Sequence, residues 1–183
     1  MKIGILQTGI AADALIKKHG DYPDNFKTFL QDRGFQFEVY EVINNIFPED
    51  IYECDGWLVT GSRHGAYEAH DWIPPLEKFI CDLYEADIPL IGVCFGHQII
   101  AQALGGVVEK FKNGWTVGRQ VYENKKGEKI KLNAYHQDQV ISAPECATSV
   151  LGTTTVKMQS FNMGKRLSRC NPTQSFQIPI FVN

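Results

Sequence analysis

The sequence predicts an α/β fold, a mostly parallel sheet flanked by helices with a small antiparallel flap. Three observations carry this reading. Over roughly the first hundred residues, short apolar runs alternate with segments of helical periodicity, the pattern of strands joined by crossover helices. Two of those runs end at Gly61 and at Gly92-Val93-Cys94, where a parallel sheet places its reactive residues, beyond the carboxyl ends of the strands. From Val107 the pattern changes to closely spaced strand-like runs with no helix between them.

The elements follow in order. Lys2–Leu6 is apolar and reads as a first strand. Asn25–Arg33 places Phe26, Phe29 and Leu30 at helical spacing and stops at Gly34. Phe35–Tyr40 alternates as a second strand, and Gly56–Gly61 is a third. Ile73–Ala86 is a helix opened by Pro74 and Pro75, with Leu76, Phe79, Ile80 and Leu83 on one face. Ile88–Val93 is a short buried strand, and Gly96–Leu104 a helix with Ile99, Ile100, Ala103 and Leu104 at its spacing. The flap comprises Val107–Phe111, Thr116–Glu123, Lys129–Ala134 and Gln139–Ser142, with Asn124-Lys125-Lys126-Gly127 as a hairpin turn. Trp57, Trp72 and Phe79 read as core, while His19, His64 and His70 read as exposed.

Composition bounds the function. With 183 residues, 44% of them hydrophobic, one core and one domain over residues 1–183 are expected. A net charge of −3 without a basic cluster argues against nucleic acid as a partner. No apolar stretch approaches a membrane span, and the amino terminus enters a strand directly, so no signal peptide is expected. Five cysteines at irregular spacing form no disulfide framework or zinc pattern, which points to a reducing cytoplasm. Neither a metal nor a cofactor is expected.

The run Gly92-Val93-Cys94-Phe95-Gly96-His97-Gln98 sits between a predicted strand and a predicted helix. Gly-x-Cys-x-Gly in that setting is the cysteine form of the nucleophile elbow: the glycines permit a sharp turn that lifts Cys94 clear of the sheet. The following helix points its first N–H groups at the sulfur, which favours the thiolate. Attack on an amide creates an oxyanion that needs fixed N–H donors, and the backbone of Phe95 supplies one by elbow geometry. His97, beside Cys94 in sequence, points elsewhere on a helix and reads as structural.

Cys94-Phe95-Gly96-His97-Gln98, continued by Ala101-Gln102-Ala103-Leu104-Gly105-Gly106-Val107, closely resembles the signature of class I glutamine amidotransferase domains. Thr60-Gly61-Ser62 and Trp72-Ile73 make it most similar to stand-alone members, such as γ-glutamyl peptidases and relatives of the GMP synthase glutaminase domain. The resemblance covers residues 1–156 and implies a flavodoxin-like amidotransferase fold. It implies that Cys94 attacks a γ-glutamyl amide, of glutamine or of a γ-glutamyl peptide, through a thioester. Gly61 matches the second oxyanion donor, although Gly61-Ser62-Arg63-His64-Gly65 replaces the Gly-Pro-Gly-like run usual there. Gln98 matches a residue that contacts the substrate amino acid, and His136, Gln137 and Asp138 match the loop that grips its α-amino and α-carboxylate groups. The implied partners are a small-molecule substrate and, where ammonia is passed on, a separate synthase subunit. A binding module that retains the γ-glutamyl pocket without turnover, and a redox-sensing Cys94 thiol, remain the alternatives.

The family's general base is a histidine in a late His-Pro-Glu, and no histidine follows His136 in this chain. Beyond Val156 the residue pattern dissolves into an aberrant tail, residues 157–183. Written as TGC-AAC-CCC-ACC-CAG-AGT-TTY, Cys170–Phe176 read one base earlier gives Gln-Pro-His-Pro-Glu-Phe, the missing motif. The same shift taken upstream permits the helix-then-strand pattern the family shows there. The sequence thus points to a single-base deletion near Val156, with later residues out of frame, an early stop after Asn183, and impaired activity.

Overall fold

The structure is a computed structural model that describes residues 1–112, 114–124, 129–152 and 160–162. Residues 157–183, apart from Ser160–Asn162, and Lys125-Lys126-Gly127 of the expected hairpin turn lie outside the described residues. The chain divides into two compact units, Met1–Ile100 and Ala101–Asn183.

The first unit is the parallel sheet with its helices. β1 (Lys2–Leu6), β2 (Gln36–Tyr40), β3 (Gly56–Val59) and β4 (Leu90–Gly92) align in the order β2-β1-β3-β4. All three pairings are parallel, with Leu6 opposite both Tyr40 and Val59, and Val59 opposite Gly92. The order reverses direction between β1 and β3, so the crevice beyond their carboxyl ends is the natural site of a doubly wound sheet. β3 is buried along its whole length, as its unbroken apolar sequence requires.

α3 (Ile73–Glu85) forms where the prolines and periodicity predict it, burying Ile73, Leu76, Phe79, Ile80 and Leu83. It is fastened to the sheet by aromatic contacts. Trp57 of β3 packs edge-on against Phe79 with centroids 4.9 Å apart, and tilted against Tyr40 of β2 at 5.5 Å. Its indole N–H donates to the Ile51 carbonyl at 3.0 Å, which satisfies the polar end of a buried ring. Trp57, Trp72 and Phe79 are 2%, 5% and 8% exposed, the core positions expected of them.

Two helices precede β2. α1 (Asp13–His19) buries no side chain, so no apolar periodicity announced it. It is supported by Asp13 in its first turn and Lys17, Lys18 and His19 in its last, each complementing the helix dipole. α2 (Tyr22–Phe29) starts three residues earlier than expected, because Asp21 caps it: the Asp21 carboxylate accepts from the Tyr22 N–H at 2.8 Å, and the Asp21 N–H donates to Asp24 at 3.0 Å. Phe29, an expected apolar anchor, is exposed, and Gln31–Arg33 form a separate 3₁₀ turn. α4 (Phe95–Ala103) follows β4.

The second unit holds two antiparallel sheets, more than a single flap. β5 (Val107–Lys110) pairs with β8 (Asp138–Ser142), burying Val108 and Val140. β6 (Thr116–Asn124) and β7 (Lys129–His136) pair in register from Thr116 opposite His136 to Glu123 opposite Lys129. β9 (Thr148–Gly152) and β10 (Ser160–Asn162) complete the order β10-β9-β6-β7. No helix among the described residues is long and apolar enough to cross a membrane.

Candidate functional site

The turn between β4 and α4 is built by contacts that leave no room for ordinary side chains. A β-carbon on Gly92 would lie 2.3 Å from the backbone C and O of Gly96, and one on Gly96 would lie 2.3 Å from the Val59 carbonyl oxygen. Val93 N–H donates to Val59 O at 3.0 Å, and Gly96 N–H is shared between Thr60 O at 3.1 Å and Val93 O at 3.0 Å. The backbone must therefore reverse over Val93–Gly96, and the residue at its apex pays the conformational cost. That residue is Cys94, with φ at 54°, in the left-handed region that a side chain with a Cβ rarely adopts. An observed strained cysteine at a strand–helix junction, half-buried and immediately before the first helical residue, is the geometry the elbow reading anticipates.

Phe95, fully buried, is the first residue of α4, so its N–H has no helical carbonyl one turn earlier to bond. Gln98 follows one turn on, 7% exposed, its N–H bonded to Cys94 O at 3.2 Å.

Gly61 lies against Cys94: a β-carbon built on it would be 3.8 Å from the Cβ of Cys94 and 3.9 Å from Cε1 of Tyr22. The Thr60–Gly61 peptide is held firmly. Thr60 O accepts from the Thr8 hydroxyl at 3.0 Å and from Gly96 N–H at 3.1 Å. In a trans peptide the N–H points opposite to the carbonyl, so these bonds fix the direction of the Gly61 N–H. Thr60 Oγ1 also accepts from Thr8 N–H at 3.0 Å, and both threonines are fully buried. The ends of β1, β3 and β4 are thus tied into one assembly.

Two residues of this assembly were not legible in the sequence. Thr8 left one signal, a polar residue just past the end of a strand. Tyr22 left none; only the cap at Asp21 places it. Asp21 accepts from Gln7 Nε2 at 2.7 Å and from Ala11 N–H at 2.9 Å, which anchors the start of α2 beside the end of β1. Burial first, then the nearby Cys94 and Asp21, push the Tyr22 phenol up from its ordinary range, so it stays a hydrogen-bond donor at neutral pH.

His136, Gln137 and Asp138 belong to the second unit, at the corner from β7 to β8. His136 Nδ1 lies 3.3 Å from Asp138 O, and Gln137 O accepts from Phe111 N–H at 3.0 Å. Burial pushes the His136 imidazole below its ordinary value near 6.5, only partly offset by the Asp138 carbonyl and charge. The fold thus prefers the neutral ring. The unfolded chain takes up its proton first, so stability is full above about 6.5 and is lost as pH falls from there toward the lower folded value. Thermal melts across this range should show that decline, and His136→Gln should flatten it. A decline unchanged in the variant would assign it to another group.

The histidines expected on the surface require a correction. His19 is exposed, but His64 and His70 keep only 20% and 33% of their side-chain exposure and gather on Glu68. Their sequence spacing hid this because successive turns, not a helical period, bring them together: Glu68 N–H bonds Gly65 O, His70 N–H bonds Glu68 O, and Ile73 N–H bonds His70 O.

Comparison with known proteins agrees with this geometry. The family model of the class-I glutamine amidotransferases matches residues 16–176. The chain is 31% identical over 162 residues to γ-glutamyl peptidase 4 of Arabidopsis thaliana, covering 80% of this chain and 64% of that protein. It is 31% identical over 173 residues to a glutamine amidotransferase-like protein of Schizosaccharomyces pombe, covering 83% and 69%. Over 138 residues it is 32% identical to a protein of Leptospira interrogans named as a glutamine-hydrolysing GMP synthase, covering 68% and 22%. The chain thus spans a little under two thirds of the length of the Arabidopsis peptidase. Among solved structures, a glutamine amidotransferase from Thermotoga maritima superposes with a TM-score of 0.74 at 20% identity, covering 89% of this chain and 72% of that one. With strand order, elbow and sequence match in agreement, the chain belongs to the class-I glutamine amidotransferase family.

Proposed function

We propose that the chain acts on the γ-glutamyl amide of glutamine or of a γ-glutamyl peptide through a thioester on Cys94. The observation that carries this is the left-handed backbone of Cys94 at the β4–α4 junction, with Gly61 packed beside it. The Cys94 thiolate adds to the amide carbon, and the carbonyl oxygen becomes an oxyanion between the N–H groups of Phe95 and Gly61. Collapse of the intermediate breaks the C–N bond and expels ammonia or an amine, which takes a proton from solvent; water then adds to the thioester carbon and breaks the C–S bond, giving the free γ-carboxylate and the Cys94 thiolate. Gln98, one helical turn on from Cys94, holds the amino-acid end of the substrate. The Tyr22 phenol, protonated and adjacent to Gly61, is placed to steady the same region.

The names of the Arabidopsis relatives favour a γ-glutamyl peptide as substrate, and that of the Leptospira relative favours ammonia delivery to a synthase subunit. Among the described residues Cys54, Cys81, Cys94 and Cys146 form no disulfide, which suits a reducing cytoplasm. Because residues 157–183 spell no His-Pro-Glu, the second reading is a module that binds the γ-glutamyl group and turns it over slowly or not at all.

A γ-glutamyl chloroketone tests the reading. One adduct per chain is expected, mapped to Cys94 by peptide mass spectrometry, slowed by excess glutamine and absent in Cys94→Ala. Labelling spread over several cysteines and indifferent to glutamine would leave Cys94 a generally reactive thiol with no γ-glutamyl site.

A further inference from the structure

The segment between Gly61 and α3 carries a second group of chemically capable side chains. His64 Nδ1 lies 3.3 Å from Glu68 Oε2, and His70 Nε2 lies 2.8 Å from the same oxygen. One ligand atom from each of the three residues falls within 4.8 Å of the others, and the two rings meet edge to face at 4.3 Å. We propose that His64, Glu68 and His70 form a binding site for a divalent first-row transition ion of zinc type, independent of the thiol chemistry at Cys94.

The donor set suits that class of ion. Two imidazoles and one carboxylate match borderline metals such as Zn²⁺, whereas Mg²⁺ and Ca²⁺ prefer oxygen alone. Bonds of about 2.0–2.1 Å in tetrahedral geometry hold ligand atoms about 3.3 Å apart, against 3.3 and 2.8 Å from the rings to Glu68 and no more than 4.8 Å between any two donors. Three protein donors leave a fourth position for water.

The donors are also held in place, so little ordering cost remains for the ion to meet. His70 lies flat against Trp72, with ring planes 11° apart and centroids at 5.7 Å, and Trp72 is 5% exposed. The His64 N–H bonds Ser62 Oγ at 3.2 Å, and the turns through Gly65, Glu68 and His70 fix the backbone between the donors. Electrostatics favour a cation: the Glu68 carboxylate lies within reach of both rings and brings a negative charge to the cluster. As an ion pair alone, a group this exposed would contribute little stability. Trp72 in turn packs on Phe95 at 5.6 Å, so an ion here would sit two rings from the residue that follows Cys94.

Cobalt(II) added to the 183-residue chain, with accessible thiols first capped by iodoacetamide, reads the site directly. One equivalent should bind with a visible nitrogen–oxygen spectrum, free of the sulfur-to-cobalt charge-transfer band, and zinc should displace it. Affinity should fall by more than about tenfold in Glu68→Gln and in His70→Phe, the latter keeping the stack on Trp72. His64→Gln supplies a third variant should either fail to give the parent near-ultraviolet dichroism. Absence of stoichiometric binding, or binding unchanged in the folded variants, would overturn the site and leave the three residues as a hydrogen-bonded group.

Discussion

Replacing residues 157–183 with the reading shifted by one base, which spells Gln-Pro-His-Pro-Glu-Phe, is expected to raise γ-glutamyl turnover by about 10²–10⁴-fold, the usual contribution of a positioned acid–base group. On the proposed reading Cys94 is the nucleophile and Phe95 and Gly61 the oxyanion donors, while residues 157–183 as written hold no histidine to protonate the leaving amine. Those parts are expected to sustain slow chemistry by themselves, as they do in triads that have lost a member. The exchange should therefore change kcat far more than KM, because the residues proposed to hold the γ-glutamyl group are the same in both chains. Chloroketone labelling of Cys94 provides the internal control, since alkylation needs the pocket and the thiolate but no proton for a leaving amine. A folded exchange variant with unchanged turnover would remove the frame shift as an explanation of the missing base. Resequencing the coding DNA from Leu151 onward checks the same idea independently: codons incompatible with the shifted motif would exclude it.

Gly96→Ala is expected to destabilise the first unit by about 1–3 kcal/mol or more and to abolish labelling of Cys94. The added methyl would stand 2.3 Å from the carbonyl oxygen and 2.9 Å from the carbonyl carbon of Val59. Neither is the movable end of a side chain. Val59 is fully buried in a central strand, paired with Leu6 on one side and Gly92 on the other. Relief requires α4 to shift away from β3, which stretches the bond from Gly96 N–H to Thr60 O. That bond also holds the Thr60–Gly61 peptide, so stability and the proposed oxyanion donor at Gly61 should fail together. Urea denaturation and labelling below the transition measure the two effects. A variant of parental stability that still labels would mean the elbow tolerates a β-carbon.

The sequence carried most of the elements and the sharp strand–helix turn at Cys94. Apolar runs marked the parallel strands, the Pro-led periodicity marked α3, and Gly-x-Cys-x-Gly marked the elbow, because each of these is a local pattern whose period or steric demand is written in adjacent residues. α1 was missed for the converse reason: it buries nothing, so it has no apolar face to read.

Only the tertiary structure decided which residues meet. Gly61 neighbours Cys94 because Val59 pairs with Gly92 in a parallel sheet, and strand order is a long-range choice that neither segment encodes alone. Tyr22 reaches the same place through a cap on Asp21 that Gln7 holds from β1, and His64, Glu68 and His70 converge through consecutive turns. In sequence these are a helix-start aromatic and scattered polar residues. Their meeting depends on distances of a few ångströms, set by pairing and packing across the chain.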